Sequence, residues 1–310
     1  MAVLSTTQTR RKARPEEHEF RSIAKGLLFI SPWLIGFFAF TIYPIIASLY
    51  YSFTRYDIIS SPKWIGLQNY QRLLFEDDKF RTVIWNTLYF VVIGVPIGVA
   101  VAFLLATLLN NEIKFRSFFR TIFFLPSIVP TVATAMVWLW IYNARFGLIN
   151  SNLAAWGFQA IPWLSSPTWV KPSLIIIHAW SQGGAMIIFL AALQDVPRSL
   201  YDAATVDGAG RLQKFWHVTI PMCTPSILFV LLTALIGNFQ YFAPGWIMTA
   251  GGPLQASEFY GIYLYEAAFK FFQMGYAAAL AWILFVIVVI ATVILFRTSA
   301  RWVYYAGEDR

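Results

Sequence analysis

The sequence predicts an all-α integral membrane protein with six transmembrane helices. Three observations carry that prediction. The 310 residues are 58% hydrophobic and only 12% charged, too apolar for an ordinary soluble domain of this size. Six apolar runs each reach the ~20 residues needed to cross a bilayer as helix. As drawn below, those runs hold no Asp, Glu, Lys or Arg.

Residues 1–26 read as a polar, poorly ordered tail with Arg10, Arg11, Lys12, Arg14, Arg21 and Lys25. The run Leu27–Phe53 is too long for a signal-peptide core and is expected as a retained helix, with Pro32 and Pro44 as kink positions. Five further spans are expected at Thr82–Leu109, Thr121–Tyr142, Pro172–Leu193, Met222–Thr249 and Gly275–Phe296. Pro126 and Pro130 lie in the third, where neighbouring helices can satisfy the freed carbonyls. Residues 300–310 close the chain as a second tail around the 27–299 helical domain.

Six spans place both termini on one side, and the basic residues choose which. With the amino-terminal tail fall Lys114, Arg116, Arg120, Arg198, Arg211, Lys214, Arg297, Arg301 and Arg310. Opposite lie Arg55, Lys63, Arg72, Lys79, Arg81, Arg145, Lys171 and Lys270. The bias is 15 to 8, so both termini are expected in the cytoplasm. The net charge of +8 follows from these loops and does not call for nucleic acid. The one cysteine, Cys223, excludes an internal disulfide, and His18, His178 and His217 form no local metal motif.

One polar stretch, within residues 195–221, interrupts the apolar pattern. It reads as two short helices joined by Gly208, Ala209 and Gly210, where glycine permits a sharp bend. In the second piece Leu212, Phe215 and Trp216 fall at i, i+3 and i+4, one apolar stripe suited to docking or to an interface. Asp202, Ala203, Ala204, Asp207, Gly208, Ala209, Phe215, Val218, Ile220 and Pro221 resemble the "EAA" loop of permease subunits of ABC importers, nearest the carbohydrate-importing group. Asp202 stands where glutamate is usual, with the charge kept and the reach one methylene shorter. Trp64 to Tyr70, the Gly251-Gly252-Pro253 turn, Tyr265, Ala268, Phe269 and Gly275 to Ala279 are similar to the same group, so the resemblance runs from about residue 27 onward. It implies a type I ABC importer permease fold in a prokaryotic cytoplasmic membrane. The 195–221 segment would then sit in a cleft of an ATPase subunit. The partners implied are a second homologous permease, two ATPase subunits that bind ATP and Mg, an extracytoplasmic sugar-binding protein and membrane lipid. The chain itself lacks the phosphate-cradling G-x-x-x-x-G-K-[ST] loop and is expected to bind no cofactor and to be no enzyme.

A substrate path needs polar groups and flat apolar faces within the membrane. The fifth span offers Asn238, Gln240, Tyr241 and Phe242, with Trp246 beyond them; the fourth offers Trp180, Ser181 and Gln182 beside Gly183 and Gly184. Amides bond sugar hydroxyls as donors and acceptors. The same amides can tie helices together and the same aromatics can form interfacial belts, and spacing alone does not choose. Trp138, Trp140 and Tyr142 are expected in packing or belt roles, and His178 as a packed or hydrogen-bonded histidine rather than a proton relay. The absence of charge in the spans argues against an ion-coupled carrier and fits a neutral, hydroxyl-rich solute. A permease for glycerol phosphate or a polyamine is the nearest alternative; an anion would call for a basic group on the path. A polytopic membrane enzyme is the other, and it would need a clustered acid/base or metal set that the sequence does not show.

Overall fold

The computed structural model describes residues 15–305. Residues 1–14 and 306–310, the outer parts of both expected tails, lie outside the described residues. Among the described residues, four helices are long and apolar enough to cross a membrane: Lys25–Ser52, Asp78–Asn110, Arg211–Phe239 and Met274–Ser299. Two more spans are bent pairs, and the count is six when each pair is one crossing.

Several expectations are corrected. The tail is already helical from Pro15, in a helix Pro15–Phe37 that carries Pro32 without a break. Proline suits a first helical turn, where its missing N–H has no partner to lose. The third span is not one helix but Arg116–Ile128 and Thr131–Ile141, turned by 103°. Val129 is extended at ψ 131 and Pro130 follows at ψ 136. A proline disfavours helical geometry in the residue before it, so tolerance of Pro130 here is a corner and not a kink. The fourth span is Val170–Trp180 and Gly183–Asp195, bent by 47° at Ser181 and Gln182. The fifth ends at Phe239; Gln240 to Phe242 are non-helical, and Ala243–Thr249 is a separate short helix. At the carboxyl end, Val303 is buried and the Tyr304 N–H donates to Thr224 Oγ1 (2.9 Å), so the chain returns onto the fifth span.

Within the spans, helices widen by one turn at Phe38–Ile42, Phe90–Gly94 and Phe215–Thr219; two more such turns, Arg72–Glu76 and Glu266–Lys270, lie in the connections, where no proline follows. Each widened turn within a span ends two residues before a proline: Pro44, Pro96 and Pro221. A proline removes one ladder donor and crowds the preceding turn, and a wider turn absorbs that misfit without ending the helix.

The second span is the centre of the bundle. Its most apolar window is 44% buried, against 0% for the first span. Phe103 meets Phe189 of the fourth span edge-on at 5.2 Å, in a core shared with Ala102, Met186, Tyr260 and Leu280. A second core, at the end of the bundle away from residues 195–221, gathers Phe90, Trp138, Tyr142, Trp163, Leu174 and Phe259. Of the three residues expected in packing or belt roles, Trp138 and Tyr142 pack here and Trp140 is exposed. In the first span Tyr43–Ser52 lies along the sixth; Trp282 Nε1 donates to Ser48 Oγ (3.3 Å). Where the sixth span starts, the missing side chain of Gly275 lets the Thr54 carbonyl lie against the helix, as its small residues suggest. The first long connection is pinned by a short antiparallel pair, Thr54–Arg55 with Lys63–Trp64.

Candidate functional site

Two regions hold the residues singled out above. The first is the polar segment. A helix Arg198–Val206 ends at Asp207, and Gly208 follows at φ +78. The Gly208 N–H donates to the Thr205 carbonyl (3.0 Å) and the Ala209 N–H to the Ala204 carbonyl (2.9 Å). This is the paired bonding of a glycine C-cap, in which a left-handed residue satisfies the last carbonyls. The chain restarts at Gly210, whose N–H donates to Gln213 Oε1 (2.8 Å).

The second piece is not a separate helix. It runs without a stop from Arg211 into the fifth span, through the widened turn before Pro221. Its apolar stripe also divides. Leu212 and Trp216 are exposed, while Phe215 turns inward to within 6.0 Å of Phe103. Two bonds hold the first helix to this one: Lys214 Nζ donates to Thr205 Oγ1 (2.7 Å), and the hydroxyls of Tyr201 and Thr219 share a bond (3.0 Å). Sequence reasoning counted Lys214 only among the basic residues and passed over Thr205, Tyr201 and Thr219; a hydroxyl at 205 with an amine at 214 gives no periodic signal. Asp202, Ala203, Asp207 and Gly208 are exposed, Ala204, Ala209 and Pro221 half-buried. Val206 is 88% exposed.

The second region is where spans three, four and five lose their helices. The breaks at Val129–Pro130, Ser181–Gln182 and Gln240–Phe242 border a single cavity of 260 Å³. Ser127, Thr131, Thr134, His178, Ser181 and Tyr241 supply its polar lining, and no Asp, Glu, Lys or Arg lines it. The Tyr241 hydroxyl is buried without a hydrogen-bond partner, and its ring packs on Phe90 (4.3 Å) and Phe259 (5.2 Å). His178, expected as a packed or hydrogen-bonded histidine, lines this cavity and lies against Gln182 Nε2 (3.3 Å). Ser127, Thr131 and Thr134 were not singled out from sequence, though their i, i+4, i+7 spacing was the available sign.

The other path candidates are dispersed. Gln240 faces the opposite way, into an apolar groove of 670 Å³ between the fifth and sixth spans. Asn238 is buried, and its amide donates to the Ala234 carbonyl (2.7 Å). Phe242 stacks on Trp246 and meets Tyr265. Trp180 stands edge-on to Trp138 at 5.6 Å. Adjacent residues at the fifth-span break therefore serve different surfaces.

At the far end of the bundle a polar cluster fastens the last connection to the second span. Asp77 accepts hydrogen bonds from the hydroxyls of Tyr263 and Tyr276 and from the Phe80 N–H. Burial pushes its carboxyl up, but those donors outweigh it and hold the group below its ordinary range. Lys79 bridges Glu258 (2.5 Å) and Glu266 (3.0 Å), and Lys270 adds a contact to Glu266 (2.8 Å). Burial raises the Glu258 carboxyl above its usual range. It acts on Glu266 as well, but there Lys270 and Lys79 prevail and the shift is downward.

Known proteins resemble this chain in sequence and in overall fold. The probable ABC transporter permease protein YesP of Bacillus subtilis is 43% identical over 93% of this chain and 96% of its own length. The arabinooligosaccharides transport system permease protein AraP of the same organism is 31% identical over 92% of this chain and 90% of its own. A crystal structure of a bacterial alginate ABC transporter in complex with an alginate pentasaccharide-bound periplasmic protein has a chain of the same fold. It is 23% identical, with a TM-score of 0.80, over 92% of this chain and 96% of that one. Residues 94–306, from the second widened turn through the cavity and the polar segment to the carboxyl end, match the family described as "Binding-protein-dependent transport system inner membrane component", and the chain belongs to that family.

Proposed function

We propose that this chain is one transmembrane subunit of an ATP-driven importer that moves a sugar or oligosaccharide across a prokaryotic cytoplasmic membrane. The observation that carries the reading is the cavity at the three helix breaks: hydroxyls, an imidazole and an aromatic face, with no charged side chain in its lining. Broken helices at depth in a bundle free backbone groups for a solute, a common plan of transporter sites. A neutral polyhydroxylated solute matches the lining, and an ionic solute would lack a counter-charge. AraP, named for arabinooligosaccharides, supports the same substrate class. At 260 Å³ the cavity is below the roughly 300–1,000 Å³ of complete small-molecule sites. A second, homologous permease would supply the opposite wall. The unburied first span would pack on that permease and on lipid. Two ATPase subunits would bind ATP and Mg and receive the 195–221 segment on the cytoplasmic side. Both termini share that side, and the hairpin of the first connection faces outward with the binding protein.

Tyr241→Phe separates this reading from a packing role. The hydroxyl has no hydrogen-bond partner within this chain, so its removal costs no hydrogen bond of the chain itself. Thermal stability of the assembled complex should be unchanged or raised. A bond lost to bound sugar, worth about 0.5–1.5 kcal/mol, should raise the KM for uptake roughly 2–10-fold. Ser181→Ala should act in the same direction. Unchanged uptake kinetics in both variants would remove the cavity from the path.

A further inference from the structure

We infer that a cleft at the far end of the bundle receives an acidic side chain of the extracytoplasmic binding protein, held between Arg55 and Arg72. The inference rests on the import reading above, which places this end outside, and the family's own description makes transport dependent on a binding protein.

The cleft is separate from the solute cavity. It measures 440 Å³ and lies between the hairpin of the first connection and the segment entering the sixth span. Both arginines are exposed, and among the described residues neither is within ion-pair distance of a carboxylate. Arg72 is already aimed. Its guanidinium lies 4.6 Å over the Tyr276 ring, and Nη1 donates to Gln273 Oε1 (3.3 Å). A guanidinium has five N–H donors, so most of this fork stays available. The one acid in the cleft, Asp57, is turned onto its own loop and accepts bonds from the Ser60 N–H (2.8 Å) and hydroxyl (2.6 Å).

The rim is built for contact with a protein. Phe271 and Phe272 are exposed beside the arginines, and Tyr56 is stacked on Tyr51 at 4.7 Å. Phe272 is held at φ +55, a conformation unfavourable to a bulky side chain, with its ring left in water. Arginine and large aromatic residues around a pocket are the composition of interface centres. Two cations without an ion pair in such a pocket favour an anionic group, and a guanidinium fork fits the carboxylate that an acidic side chain of a protein presents.

The test uses the assembled complex in proteoliposomes, with ATP hydrolysis titrated by the sugar-loaded binding protein. Arg55→Glu, at an exposed side chain, should raise the half-saturating concentration of binding protein about tenfold while the maximal rate is kept. Arg72→Gln should raise it less, and in both variants the half-saturating concentration should depend less on salt than in the wild type. Arg145→Glu makes the same charge change in another connection on this end and should leave the titration unaltered. Wild-type half-saturation and salt response in Arg55→Glu would overturn the inference, as would an equal shift in Arg145→Glu. Stimulation by free acidic saccharide that is lost in Arg55→Glu would make the cleft a sugar site and overturn it too. A wild-type complex that no sugar-loaded binding protein stimulates would refute the import reading, and the inference with it.

Discussion

Gly208 shows how much one residue can decide. At φ +78 it has no heavy atom within 4 Å of where a side chain would begin, so conformation, not space, requires glycine. A β-branched side chain there is strained by about 1–3 kcal/mol, and the two-bond cap at Thr205 and Ala204 is what would give way. Gly208→Val is expected to abolish uptake and sugar-stimulated ATP hydrolysis together, with the binding protein still binding sugar. Gly208→Asn should retain much of both, because asparagine tolerates the left-handed region. Uptake by Gly208→Val at the wild-type rate and expression level would show that the turn does not couple to the ATPase. The glycine itself was legible from the run Gly208-Ala209-Gly210. The fastening of the two pieces by Lys214 and Thr205 was not, because a nine-residue separation across a turn has no periodicity to read.

Among the elements, the broken spans matter most. The fourth span restarts at Gly183 against the helix before the Pro130 corner. A side chain at Gly183 would begin 2.5 Å from the Phe123 carbonyl oxygen and 2.8 Å from Phe124 Cα, both backbone atoms that cannot swing aside. Gly184 has nothing within 4 Å. Gly183→Ala should therefore cost about 1–3 kcal/mol, as overpacking does, and lower the melting temperature of the complex. Gly184→Ala should leave it unchanged or slightly raised, since alanine is the better helix former. Equal effects at both positions would refute the backbone contact. Two adjacent glycines look alike in a sequence; which one faces a neighbour depends on the packing of two broken helices.

For the whole molecule, the decisive question is which end faces the cytoplasm. From the basic bias, residues 195–221 are expected inside and the Arg55–Arg72 cleft outside. Reporter fusions at Gly66 and Gly252 should read outside, and one at Gly210 inside. An outside signal at Gly210 would dismantle the coupling role and the docking role together, because both depend on the same orientation.

The sequence alone determined the helical membrane class, the six apolar runs and the family, through the 195–221 segment. Those properties are local: an apolar run long enough to cross a bilayer reads the same whatever surrounds it, and a glycine-broken polar stretch stands out between two such runs. The tertiary structure decided where the runs break and which side chains meet at the breaks. Pro130 could have kinked its helix or ended it, and only the packing around the corner fixes a 103° turn. Once Gln240 to Phe242 leave the helix, Gln240 and Tyr241 face opposite ways, and helical spacing no longer predicts what either one touches.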